Sequence, residues 1–329
     1  MQTLPLERVP PAPVLVRGLA VLRTREAGVV LFILGLGLAL HAWTGRFFTP
    51  TNLANVLLNS APTAVVALGM TLVILTGGID VSVGSTLGVT AVLLGYAATA
   101  GWHLGLLIAT GVLSGLVLGM VNAGLVARAG VMPIIATLAT LSLYRALTFQ
   151  LLRGKWIADI PPVLRPLGLG TVGGVPVAAL LALTLTLLFA YVTARRPLGR
   201  HIYAVGGNAE AARLAGIDVA RVTFVVYGVT GMLVGVAALL YVGQTGFVQS
   251  NTGVGFELQV IAAVVLGGTS ILGGRGSVVG SVLGAVLVGQ IKNGLILMNV
   301  SGLAEGMVAG VLILLAVAVD LLRTRRGTP

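Results

Sequence analysis

No cysteine occurs among the 329 residues, which excludes disulfides, thiolate nucleophiles and cysteine-ligated metal sites. Charge is nearly as scarce, at 9% of residues, with 9 Asp and Glu against 20 Lys and Arg. The chain has three histidines, and His41, His103 and His201 are too far apart for the short helical spacing of a metal site. They read as interfacial polar residues. No set of residues for covalent catalysis occurs. A phosphate-binding loop is missing too, since Lys155 follows Gly154 but precedes Trp156, and the earlier glycine of that motif is absent. The string Gly168-Leu-Gly170-Thr-Val-Gly173 has the spacing of a dinucleotide fingerprint, but no strand precedes it and it is set aside. The chain therefore reads as non-catalytic, with no cofactor or metal of its own.

What is present is apolar: 57% of residues are hydrophobic, and runs such as Gly28 to Trp43 are long enough to cross hydrocarbon. The expected fold is an all-α polytopic membrane protein of about ten transmembrane helices. The hydropathy pattern places them at 27–44, 53–76, 84–100, 104–127, 132–152, 175–194, 220–241, 256–269, 277–298 and 303–322. One transmembrane domain, 27–322, is then flanked by a disordered tail over 1–26 and a short tail over 323–329. No cleavage site follows the first apolar run, so that run is expected to remain as a helix. Orientation follows from charge. With the N-terminus inside, fourteen of the 20 basic residues fall on cytoplasmic segments, and Trp43, Trp102 and Trp156 all fall at the outer boundary. Both tails are expected in the cytoplasm, and the net charge of +11 points to the positive-inside rule rather than to nucleic acid.

Glycine is abundant, at 47 residues, and its spacing is helical. Gly111, Gly115 and Gly119 lie four apart, as do Gly276, Gly280 and Gly284, and Gly302, Gly306 and Gly310, so each set is expected to let a second helix approach closely. Gly77, Gly78, Val83, Gly84, Ser85, Leu87 and Gly88 recur as Gly273, Gly274, Val279, Gly280, Ser281, Leu283 and Gly284 at a constant offset of 196, the mark of an internal repeat. The first copy holds Asp80, the sole acidic residue between Glu26 and Asp159; Arg275 takes its approximate place in the second. A carboxylate between apolar segments needs water, a helix N-terminus or a cation. Asp80 with Ser82 can cap the following helix, or serve transport or gating; the residues leave both open.

The one long polar excursion is the loop 195–221, placed in the cytoplasm by the charge pattern. Asn208 can cap a short surface helix with Glu210 in its first turn, Arg213 in its second and Gly216 at its end. Such a helix is marginal alone and needs a surface to hold it, from the membrane domain or from a partner. Glu257, Lys292, Glu305 and Asp320 lie near span ends rather than mid-helix, so intrinsic ion coupling is poorly supported, and energy for transport would arrive through a partner.

Four ordered segments carry a family resemblance: ALGMTLVILTGGIDVSVGS from Ala67, IATLATLSLYRAL from Ile135, GRHIYAVGGNAEAARLAGI from Gly199 and AAVVLGGTSILGGRGSVVGSVLGA from Ala262. From about Pro50 to Asp320 the chain resembles the permease subunits of ribose-type ATP-binding-cassette importers, a group that includes those for xylose, rhamnose and autoinducer-2. The resemblance implies a type II importer fold in the bacterial inner membrane. Two permease subunits, identical or different, would stand side by side, with cytoplasmic ATPases beneath and a periplasmic or lipid-anchored sugar-binding protein above. ATP and magnesium would sit on the ATPase. Asn208 to Gly216 would be the coupling helix, with Gly199, Arg200 and Gly207 shaping its approach. A sugar needs a wet passage lined by hydrogen-bonding groups, and Asn55, Asn59, Gln244, Gln249, Asn251 and Glu257 are the candidates, although polar packing between helices explains each equally well. The stretches GKWI from Gly154 and QTGFVQSNTGVGFELQ from Gln244 are more similar to the autoinducer-2 and rhamnose branch than to ribose permeases. An ion-coupled secondary carrier is the alternative.

Replacing Glu210 and Arg213 together by alanine is expected to uncouple ATP hydrolysis from transport, or to weaken ATPase association, without affecting membrane insertion. Association and coupling at wild-type levels in that double variant would count against a docking role.

Overall fold

The computed structural model describes residues 25–300 together with Met307, Gly310 and Val311. The helices are α1 (Arg25–Thr44), α2 (Pro50–Leu75), α3 (Val83–Thr99), α4 (Leu104–Ala123), α5 (Pro133–Leu152), α6 (Arg165–Gly168), α7 (Val177–Arg195), α8 (Pro197–Gly207), α9 (Ala209–Leu214), α10 (Val219–Thr245), α11 (Phe256–Leu266) and α12 (Val278–Leu297). Among the described residues seven of these, α1, α2, α4, α5, α7, α10 and α12, are long and apolar enough to cross a membrane, while α3 and α11 are shorter apolar helices. The protein is thus a polytopic helical membrane protein. Nine of the expected spans coincide with these helices to within a few residues; the tenth, 303–322, and both tails lie outside the described residues except for Arg25, Glu26, Met307, Gly310 and Val311. α1 takes in Glu26, whose carboxylate in the first turn complements the helix dipole.

α2 is the centre of the bundle, with every residue from Ser60 to Leu75 buried, and α10 packs beside it. The contact between α4 and α10 is made backbone to backbone. Gly111, Gly115 and Gly119 of α4 lie against Gly235, Gly231 and Tyr227 of α10, and Gly231 and Gly235 face them in turn, so a side chain on either surface would force the helices apart. Gly280 and Gly284 of α12 do the same against Gly267 and Ala263. Gly276 precedes α12 and instead meets Thr269.

The connections keep their backbone groups occupied. α4 runs into a π-helical turn, Gly124–Arg128, where the Arg128 guanidinium lies 4.5 Å from the centre of the Phe224 ring. Between α5 and α7 the chain makes a 3₁₀ turn, the four-residue α6 and a two-residue hairpin of β1 (Thr171–Val172) and β2 (Val175–Pro176). Gly173 and Gly174 supply the two left-handed residues of that hairpin, with φ of 58° and 80°. Gly168, first glycine of the apparent dinucleotide fingerprint, packs on the backbone of Gly243.

Gly115→Ala or Gly231→Ala is expected to lower stability by about 1–3 kcal/mol through overpacking of α4 on α10. Gly124→Ala should not, because Gly124 is right-handed helical with open space at its Cβ position. Thermal unfolding in detergent micelles distinguishes the two outcomes.

Candidate functional site

Proline inside a helix removes the N–H that would bond the carbonyl four residues earlier. Pro62 does so in α2 and strips the Leu58 carbonyl of its helical donor. Gln244, near the end of α10, fills the place, with Nε2 donating to Leu58 O at 3.2 Å. Beside this repair lies a cavity of about 490 Å³. Asn59, Gln244, Gln249 and Asn251 are on its wall, so four of the six residues proposed from polarity are brought together. Asn55 is exposed one turn before Asn59 and does not reach the wall. Glu257 is also elsewhere: its side chain packs on Gly84 at the start of α3, and its buried Oε2 has no hydrogen-bond partner among the described residues.

The wall also holds Gln259 of α11 and Asn293 of α12, which the sequence reading left out, and Lys292 of α12, which it placed near a span end but not on the passage. An adjacent Lys-Asn pair inside an otherwise apolar span was the available signal. Asn293 is fixed by reciprocal bonds with Asn52 of α2, at 2.8 and 3.0 Å, while Asn52 also donates to Phe47 O at 2.9 Å. A second hollow, of about 620 Å³, shares Gln244, Thr245 and Gln249 with the first and is otherwise lined by Trp156, Asp159 and Arg165 among others. The two hollows adjoin along α10.

Asp80 lies in the turn between α2 and α3 and is only 2% exposed. Its Oδ1 accepts from the backbone N–H and the hydroxyl of Ser82, at 2.9 and 2.6 Å. Asn122 of α4 donates to Ser82 Oγ at 2.7 Å and to Asp80 Oδ2 at 3.4 Å, and Thr137 of α5 donates to Ile79 O at 3.0 Å. Ser82 occupies the N-cap position of α3 without bonding a helix amide. The pair therefore closes the turn and ties it to α4 and α5, rather than capping α3 in the simple sense expected. In the second repeat Ser277 is an ordinary N-cap of α12, accepting from Gly280 N at 3.2 Å, and Arg275 is exposed beside a small cleft. Arg275 does not reproduce the surroundings of Asp80.

The polar loop folds into two helices rather than one. Pro197 starts α8 at a position where its missing N–H costs nothing, and Ile202 and Val205, three apart, are buried beneath it. Gly199 is buried against the Thr193 carbonyl, letting α8 fold back on the end of α7, and Arg200 is exposed. Asn208 caps α9 as expected, accepting from Ala211 N at 2.9 Å, and Gly216 ends it at φ 83°. Glu210 and Arg213 pair at 2.7 Å on the exposed face, next to Leu214, which is 81% exposed. Space at Gly207 is open; the crowded glycine is Gly206, whose neighbours are the Leu75 carbonyl and the Gly274 amide. Tyr203 of α8 donates to Gly276 O at 2.8 Å, and burial pushes its phenol pKa above the ordinary value, which keeps it a donor.

Apolar helices surrounding a cavity lined with amides, with a capped helical excursion at one end of the bundle, are the build of a membrane permease. The chain belongs to the family described as branched-chain amino acid transport system / permease component, whose model matches residues 52–317. It is 37% identical over 290 residues to the autoinducer 2 import system permease protein LsrC of Salmonella typhi, covering 88% of this chain and 84% of that one. LsrC of Escherichia coli O9:H4 (strain HS) is 40% identical over 253 residues, 77% of this chain and 74% of the relative. The ribose import permease protein RbsC of Escherichia coli (strain K12) is 39% identical over 281 residues, 84% of this chain and 87% of the relative. No solved structure gives a significant match. The protein is a multi-pass permease subunit of the bacterial inner membrane, of the ABC importer class, and an ion-coupled carrier is not favoured.

Gln244→Leu is expected to leave the Leu58 carbonyl without a donor and to cost about 1–3 kcal/mol. Adding Pro62→Ala returns the helical N–H and should recover most of that loss, as read by the unfolding temperatures of the two variants and of the double variant.

Proposed function

We propose that this permease passes a neutral, hydroxyl-rich solute, a monosaccharide or a sugar-like molecule such as autoinducer 2, through the cavity between α2, α10, α11 and α12. The observation that carries this reading is the chemistry of that wall. Asn59, Gln244, Gln249, Asn251, Gln259 and Asn293 each present both a donor and an acceptor, the complement of a polyol, and Lys292 is the one charged residue among the described residues that line it. Two relatives named for ribose and autoinducer 2 import agree with such a substrate. The hollow beside Trp156 is the outer approach to the cavity.

Energy comes from a separate ATPase that carries ATP and magnesium and docks on α9, with Leu214 as the apolar contact and the Glu210–Arg213 pair as its polar flank. A periplasmic or lipid-anchored binding protein delivers the solute, and a second permease, identical or different, completes the passage. In this reading the chain has about ten spans with both tails in the cytoplasm, and α9 is on the ATPase side. Alternating access then follows from a change in how the helices around the cavity pack when the ATPase pair closes.

The test is reconstitution of the permease with its ATPase and binding protein in proteoliposomes. Uptake of radiolabelled ribose or of autoinducer 2 is expected to require ATP inside and to survive an ionophore. Uptake that proceeds without the ATPase and collapses with the ion gradient would overturn the reading. Within it, Asn59→Ala and Gln249→Ala should each lower uptake about fivefold to tenfold while the complex still assembles, the loss of roughly one hydrogen bond to solute.

A further inference from the structure

α2 ends at Leu75, and its last carbonyls have no partner within the helix. The carbonyl of Leu75 is bonded across the fold, by the N–H of Gly274 in the turn between α11 and α12, at 3.0 Å. That bond joins the two repeat turns, which also touch where Gly273 lies against Gly77. α8 rests on the same spot. Gly206 sits on the Leu75 carbonyl and the Gly274 amide so closely that a Cβ would collide with both, and Gly206 O lies beside Gly273 and Gly274. Three residues earlier on α8, the Tyr203 hydroxyl holds Gly276 O.

We infer that Tyr203 and Gly206 are positioning residues for coupled transport: they form the joint through which displacement of α9 reaches both halves of the membrane domain. The inference rests on the proposed docking of an ATPase at α9. A single residue, Asn208, separates α9 from α8, so a push on α9 is delivered to α8 with little slack. Buried Ile202 and Val205 make α8 a packed lever rather than a free arm. From the joint, two long helices lead to the cavity. α2 starts the other way from Leu75 and carries Pro62 and Asn59, and α12 begins just past Gly276 and carries Lys292 and Asn293. Gly77 leads in three residues to Asp80, whose bonds reach α4 through Asn122. A shift of α8 therefore moves the ends of the very helices that wall the passage. Glycine at 206 permits contact between backbones, which transmits displacement without the give of a flexible side chain.

Two measurements test this on the assembled complex with ATPase and binding protein. In the first, proteoliposomes are scored for solute accumulated per ATP hydrolysed, using whichever of ribose and autoinducer 2 the wild-type complex accumulates. Tyr203→Phe, which keeps the ring and loses one hydrogen bond, is expected to lower that ratio about fivefold while hydrolysis continues. Gly206→Ala should lower it further. A ratio equal to wild type in Tyr203→Phe, or a parallel fall of hydrolysis and transport that leaves the ratio unchanged, overturns the inference; if Gly206→Ala fails to assemble, Tyr203→Phe alone decides. The second measurement needs no solute. Because the chain has no cysteine, spin labels can be placed at Arg200→Cys on α8 and at Leu272→Cys, a position 74% exposed in the α11–α12 turn. The interlabel distance should stay fixed when a non-hydrolysable ATP analogue binds, and broaden in the Tyr203→Phe background. A distance that changes with nucleotide in the otherwise wild-type chain shows that α8 and the turn do not move together and overturns the joint. Absence of ATP-dependent uptake by the wild-type complex, with the labels still rigid, would instead count against the proposed substrate or energy source.

Discussion

A polar backbone group in hydrocarbon must find its partner inside the protein, and the interior of this permease is organised around that demand. Continuous helices satisfy it alone. The informative places are where helices stop or break within the bundle: the Leu58 carbonyl opposite Pro62, the end of α2 at Leu75, and the turn after α2. Each break has a named repair. Gln244 serves Leu58, Gly274 serves Leu75, and the Asp80–Ser82–Asn122 set closes the turn into α3. Gln244, Gly274 and Asn122 are distant in sequence from the groups they serve, so these bonds also lock the bundle's tertiary arrangement.

The same demand bears on the proposed passage and joint. A helix that is broken to expose a carbonyl brings polar groups to a place that lipid would otherwise forbid, and amides recruited to satisfy it make a surface that a hydroxylated solute can wet. The cavity beside Pro62 is such a surface. At the opposite end of α2, the glycines that let two turns and α8 meet make the contact too close for side chains, and a close contact between backbones is stiff. The proposed passage and joint are thus two ends of one helix, and α2 is the most enclosed of the seven candidate spans among the described residues.

Much of this was legible in the chain. Apolar runs located the helices, Gly111, Gly115 and Gly119 announced a close helix contact, and Asn208 and Gly216 marked the ends of α9. The polar residues near the ends of apolar runs led to Asn59, Gln244, Gln249 and Asn251. What escaped sequence reading was pairing over long separations. Nothing local to Leu58 or Pro62 says that Gln244 lies opposite, and nothing local to Gly206 says that Leu75 and Gly274 flank it, whereas Gly207, its neighbour in the same motif, is open. Asn55 and Glu257 passed the same polarity criterion and lie off the cavity wall, because depth along α2 and the fold-back after α10, neither of which polarity measures, decide which surface a residue joins. α8 was read as loop because its proline, three glycines and Arg200 look like a connector, although Ile202 and Val205 give it a buried face.

The Leu58 carbonyl has a further consequence. It belongs to the main chain, so no replacement at position 58 can abolish it; the residues at 62 and 244 decide only which donor it finds. In a lineage diversifying its solutes, the side chains around the cavity are free to be exchanged one by one, while this acceptor stays at a fixed depth beside them. It works as a datum against which variable residues are set, and an engineer wishing to redirect the permease has most freedom at Asn59, Gln249 and Asn251 and least at Pro62.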